Sequence, residues 1–170
     1  MIRNGIFTHS VKLVIGALLT LSLLVGCGFK LRGDYLLPEQ LKTMYISSTD
    51  THGELTRLVK QHLTINDVTI VKHSAANIPE LRILKDSLDR RTLSLFENGQ
   101  VAEYELTYTT RYEVLFADQE PQSFQFEIHR NYQDNPDRAL AKSRELTLLR
   151  KEMRVEAANQ ILRNLASIKL

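Results

Sequence analysis

The chain has one cysteine, no tryptophan, seven glycines and four prolines among 170 residues. One cysteine cannot close an intrachain disulfide, so apolar burial has to carry the stability. Glycine and proline are too scarce for a linker-rich or fibrous chain. The sequence also lacks a Gly-x-Ser-x-Gly elbow, a His-Glu-x-x-His pair, a P-loop and a glycine-rich dinucleotide turn. His52, His62, His73 and His129 are scattered, without metal-ligand spacing. In Asp86-Ser87-Leu88-Asp89 two carboxylates lie close, but on a strand they face opposite sides, which spoils an acid/base pair. No enzyme, cofactor or metal site is expected. A charge of one sign is missing as well. Arg3 and Lys12 precede Cys27 and all 20 acidic residues follow it, so the formal +2 of the whole chain falls to zero beyond Cys27. A neutral domain gives no case for nucleic-acid binding.

What the chain does have begins at its N-terminus. Arg3 and Lys12 precede an uncharged, mainly apolar run, Leu13–Val25, and small Gly26 stands directly before Cys27. A basic opening, a short apolar run and a small residue at the cut describe a secretory signal. The run is shorter than the roughly 20 residues of a spanning helix. Leu24-Val25-Gly26-Cys27 reads as a bacterial lipobox, in which the Cys27 thiol is acylated and residues 1–26 are removed. Several acyl chains make an effectively permanent anchor, whereas one would be marginal. Gly28 follows Cys27; by analogy with Gram-negative lipoproteins, in which an Asp there is associated with inner-membrane retention, the outer membrane is the expected destination. The expected organisation is a signal peptide over 1–26, a lipidated tether over 27–38 and a single domain over 39–170.

Within that domain, Met44–Ser47 reads as a short strand. Thr49 or Asp50 then caps a helix carrying Leu55, Leu58, Val59 and Leu63 at helical spacing. Val68–Val71 is a β-branched strand, and strand, helix, strand predicts a small βαβ unit. Leu81–Phe96 opens an antiparallel region, and Asn98-Gly99 predicts a two-residue type I′ turn with both positions at positive φ. Clean alternation follows. Tyr104, Leu106, Tyr108, Thr110, Tyr112, Val114 and Phe116 share one face; Glu103, Glu105, Thr107, Thr109, Arg111 and Glu113 share the other. Such a strand implies a sheet covered on one side only. Phe124, Phe126, Ile128 and Tyr132 continue the pattern. Asn135 and Pro136 start a final amphipathic helix of about 30 residues. Its apolar line is Leu146, Leu149, Met153, Ala157, Ile161, Leu165 and Ile168, with Arg144, Arg150, Lys151, Arg154 and Arg163 off it. Two helices covering one sheet face give a two-layer α/β (α+β) sandwich.

The chemistry that stands out is basic. Arg90 and Arg91 lie in the first long strand near Lys85, and Lys142, Arg144, Arg150 and Lys151 lie early in the last helix. Arg and Lys hold phosphate well, as a fork and a point charge respectively. The alternative is a solvated face balanced by Glu145 and Glu152.

Four segments carry a resemblance: Gly26-Cys27-Gly28-Phe29-x-Leu31-Arg32, Pro79-x-Leu81-Arg82, Asn98-Gly99-Gln100-x-Ala102-Glu103-Tyr104, and Asp134-Asn135-Pro136-x-x-Ala139-Leu140-Ala141-Lys142. In this order and spacing the chain resembles the LPS-assembly lipoprotein LptE family. The resemblance implies two helices on one face of a mostly antiparallel four-stranded sheet. It also implies an outer-membrane lipoprotein that plugs and helps assemble the LptD β-barrel and binds lipopolysaccharide. Cys27 is then the lipidated residue, and Lys142, Arg90 and Arg91 are the lipopolysaccharide-binding candidates. Relatives can carry a basic residue before Asn-Gly; here Glu97 stands there. The alternative is another outer-membrane scaffold or barrel-assembly lipoprotein that does not bind lipopolysaccharide.

Overall fold

Alternation and helical periodicity are both realised, in the order strand, helix, strand, three long strands, helix. The computed structural model describes residues 36–168; Cys27, the expected signal peptide and the expected tether as far as residue 35 lie outside the described residues, while Leu37 near the tether's end is buried in the core. The elements are β1 (Thr43–Ser48), α1 (Glu54–Ile65), β2 (Thr69–Val71), β3 (Glu80–Leu95), β4 (Val101–Leu115), β5 (Gln122–Gln133) and α2 (Ala139–Ser167). The sheet order is β2-β1-β3-β4-β5. β1 pairs parallel with β2 and with β3, while β3/β4 and β4/β5 are antiparallel. The βαβ unit is therefore β1-α1-β2. The sheet has the five strands that the sequence pattern reads, rather than the four that the resemblance implies, and the three-residue β2 forms one edge.

Both helices bury their stripes on one sheet face. Leu55, Val59 and Leu63 of α1 and Met153, Ala157, Ala158, Ile161, Leu162 and Leu165 of α2 are fully buried, against Leu81, Tyr108, Tyr112 and Val114 of the sheet. Tyr112 stacks on Phe124 at 5.1 Å and meets Phe126 edge-on at 6.4 Å. Asn135 caps the start of the last helical segment, its side chain accepting from the Asp137 amide at 3.0 Å. Pro136 opens a 3-10 turn there, and the α-helix proper starts at Ala139.

Two local expectations are corrected. Neither Thr49 nor Asp50 caps α1; Gly53 does. Asp50 turns back instead, accepting from the His52 amide, and a Cβ on Gly53 would lie 2.9 Å from its carboxylate. The β3–β4 turn is a three-residue loop, not a two-residue type I′ turn. Among Glu97, Asn98 and Gly99 only Gly99 has positive φ, at 82°. The Gly99 amide donates to Phe96 O at 2.9 Å and the Phe96 amide to Gln100 O at 2.8 Å. One turn followed by a left-handed glycine closes a three-residue hairpin with a single positive-φ position.

Candidate functional site

The register of β3 against β4 decides which way each basic residue points. Leu81 and Ile83 face the helices, but the pairing slips between Ile83 and Lys85. A bulge of this kind inserts one residue and reverses the parity of everything after it. Beyond it the even residues face the helices: Asp86 opposite Thr110, Leu88 opposite Tyr108, Arg90 opposite Leu106 and Thr92 opposite Tyr104. Arg90 thus joins the helix-covered face and Arg91 the open one.

On the helix-covered face two cations sit on two neighbouring tyrosines. The Arg90 guanidinium lies 4.9 Å from the centre of the Tyr104 ring, and the Lys142 ammonium 5.3 Å from that of Tyr132. Tyr104 and Tyr132 are direct partners across β4 and β5. Cation–ring contacts of this kind hold a charge in place without neutralising it. The Tyr132 hydroxyl donates to the Lys142 carbonyl at 2.8 Å, fastening the first turns of α2 to the sheet. Burial raises the Tyr132 pKa, so the hydroxyl stays a donor. Lys142 is only 20% exposed and also bonds Glu145 at 2.8 Å. Arg91 is held elsewhere, by Glu105 on the open face at 2.8 Å. The fold therefore brings Lys142 and Arg90 to one face and sets Arg91 apart. Arg144, Arg150 and Lys151 are solvent-exposed on α2.

The tyrosines were legible as inward-facing positions, but nothing in the sequence marked them as seats for cations. A second polar group was missed. Arg154 is not a solvated charge: it bonds Glu54 of α1 at 2.6 Å and is 25% exposed. Burial works to lower its pKa, but its contacts with Tyr108, Asp86 and Glu54 outweigh this and raise it. The Tyr108 hydroxyl donates to Asp86, and burial followed by this bond drives the phenol pKa upward. The available signal was the spacing of Arg154 to Ala158, Ile161 and Leu165, all core residues. Asp86 and Asp89 do face opposite sides of the sheet.

The open face carries Arg82, Lys85, Ser87, Asp89 and Arg91 on β3, Glu103 to Glu113 in alternation on β4, and Gln125, Glu127, His129 and Asn131 on β5. Among the described residues no group of His, Cys, Asp and Glu could hold a metal, and no helix is long and apolar enough to cross a membrane.

Two helices on a five-stranded sheet, with one face covered and the other polar and open, define a small two-layer α+β domain of the kind found in several bacterial lipoproteins. A crystal structure of rare lipoprotein B from Shewanella oneidensis is similar, with TM-score 0.68, 48% identity, and 74% of this chain and 94% of that one covered. The solution structure of an uncharacterized lipoprotein B from Nitrosomonas europaea gives TM-score 0.66 at 27% identity, covering 82% and 91%. The family model for LptE, described as lipopolysaccharide-assembly, matches residues 41–165. The LPS-assembly lipoprotein LptE of Pectobacterium atrosepticum is 40% identical over 167 residues, 98% of this chain and 88% of its own. The chain belongs to the LptE family of lipopolysaccharide-assembly lipoproteins.

Proposed function

We propose that this protein is an outer-membrane lipoprotein, acylated on Cys27, that lodges in the lumen of an LptD-type β-barrel, helps that barrel assemble and binds lipopolysaccharide on its way to the cell surface. The observation that carries the reading is the division of labour between the two sheet faces. A water-filled barrel lumen is polar, and the open face offers it charges already paired, Arg82 with Glu80 and Glu113, Arg91 with Glu105. The other face holds Arg90 on Tyr104 and Lys142 on Tyr132 and Glu145, a combination suited to a phosphorylated glycolipid: cations for phosphate, rings for the apolar part. Binding, not bond-making, is the role this arrangement serves.

Two experiments test the reading. Gentle extraction of outer membranes should recover the acylated chain with a large β-barrel; its recovery as a free monomer, or an unmodified Cys27 in the mass spectrum, overturns the proposal. Lys142→Ala should weaken lipopolysaccharide binding about tenfold at low salt, with a smaller loss at high salt, and leave the domain folded. Equal affinity at moderate salt removes Lys142 from the site. Arg91→Ala should have the smaller effect of the two arginines, because Arg91 points away from Tyr104 and Tyr132.

A further inference from the structure

The bulge after Ile83 is what turns Arg90 inward, and apolar burial does not account for it. Unbroken alternation from Leu81 and Ile83 would turn Lys85, Ser87, Asp89, Arg91 and Leu93 toward the helices. The observed pairing turns Asp86, Leu88, Arg90 and Thr92 there instead. Each set has one leucine, so the hydrophobic pattern that normally fixes a strand's register does not choose between them. The sets differ in the charge they bring beside α2. In the observed register Asp86 accepts from the hydroxyl of buried Tyr108. It also attracts Arg154 of α2, which meets Tyr108 and bonds Glu54 of α1 at 2.6 Å. Four elements, β3, β4, α1 and α2, thus converge on this cluster. The unbulged register would put Lys85 opposite Thr110, in the place of Asp86, and set a second cation against Arg154. As observed, Lys85 is exposed on the open face.

We propose that Asp86 is a positioning residue: through Tyr108 and Arg154 it selects the bulged register of β3, and thereby decides that Arg90 rather than Arg91 reaches Tyr104. Withdrawing a carboxylate and a guanidinium from water costs desolvation, so such a cluster contributes little net stability; fixing one register among several is the best-attested use of groups of this kind. Without the bulge Asp86 would lie on the open face, and Arg154 would keep only Glu54. The pairing is irregular a second time, between Thr92 and Leu95. The extra residue can therefore move along β3 to that place, shifting the segment between while Leu95 stays opposite Val101 and the turn is unchanged. In the shifted segment Arg91, not Arg90, falls opposite Tyr104. What Arg90 does for a ligand rests on the lipopolysaccharide reading; the choice of register does not.

Disulfide trapping in the full-length acylated protein, in detergent, reads the register directly. The parent chain has one cysteine and cannot close an intrachain bridge. Asp89 lies opposite Thr107, whereas Leu88 points to the other face. Asp89→Cys with Thr107→Cys should therefore cross-link at least about tenfold faster than Leu88→Cys with Thr107→Cys. Exchanging two neighbours, Lys85→Asp with Asp86→Lys, moves the carboxylate to the position that unbroken alternation turns inward, and should reverse this ratio. Asp86→Ala removes the anion alone and should let both pairs cross-link at comparable rates. The exchange should also transfer the ligand dependence, so that Arg91→Ala in the exchanged chain weakens lipopolysaccharide binding as Arg90→Ala does in the parent. A ratio that the exchange does not reverse overturns the proposal, as does one that Asp86→Ala leaves at its parent value. Loss of the helical circular dichroism in both variants overturns it too, because the cluster would then hold the domain together rather than choose its register. A reversed ratio without transfer of the lipopolysaccharide dependence supports the register assignment and removes Arg90 from the binding site.

Discussion

The end of the molecule built from β1, β2, α1 and the last turns of α2 differs sharply from the end formed by the β3–β4 hairpin and the first turns of α2. At the first end Leu41, Met44, Leu55, Val59, Leu63, Leu81, Ala157 and Leu165 are all 0% exposed. At the second, Leu95 is 60%, Phe96 43% and Leu140 70% exposed. Both helices cover the sheet at the thick end, whereas only the start of α2 reaches over the thin one. The thin end is fastened by a few specific contacts instead: Lys142 and Arg90 on their tyrosines, and the Tyr132 hydroxyl on the Lys142 carbonyl. Apolar burial stabilises one half, and the other presents chemistry. Local stability is expected to follow the same division, because regions with few buried apolar contacts open first.

The sharpest way to break the comparison is a matched pair of truncations in one strand. Leu81→Ala should cost about 2–5 kcal/mol, the range for emptying a filled core site, while Leu95→Ala should stay within about 0.5 kcal/mol. Urea unfolding of both variants measures the contrast, and similar midpoints would show that the two ends share one core. A smaller effect is expected at the hairpin. Nothing lies within 4 Å of a Cβ built on Gly99, so Gly99→Val strains only the backbone, by about 1–2 kcal/mol. Thermal melting checks it, and an unaltered midpoint would mean the turn readily finds another conformation. The smallest effect has the opposite sign. Thr110 is buried with its hydroxyl unpartnered, so Thr110→Val should be neutral or stabilise by up to about 1 kcal/mol. A clear loss of stability would reveal a partner for that hydroxyl.

The elements of this fold were legible from one sequence because their patterns are strong. β4 alternates in facing, with Leu106, Tyr108, Tyr112 and Val114 buried as expected, although Thr109 on the other face is buried as well. The apolar line of α2 is buried from Met153 onward, with Leu146 and Leu149 half-buried against the same core. Local turn chemistry was harder. Asn98-Gly99 announced a hairpin correctly, but its loop length depends on how Phe96 and Gln100 pair, which is a property of two strands meeting. Likewise, the carboxylate of Asp50 had a nearer use than capping α1.

Sequence by itself determined that the chain has a half-covered sheet, a long closing helix, no disulfide framework and a charge balance of zero after Cys27, because period, composition and count are local or additive properties. It also carried enough ordered motifs to place the family. Only the tertiary structure decided which basic residues share a face. By simple alternation from Leu81 and Ile83, Arg91 would point toward the helices and Arg90 away. The bulge after Ile83 reverses them, and no residue nearby announces it, because a bulge is a mismatch between two strands and is written in neither alone.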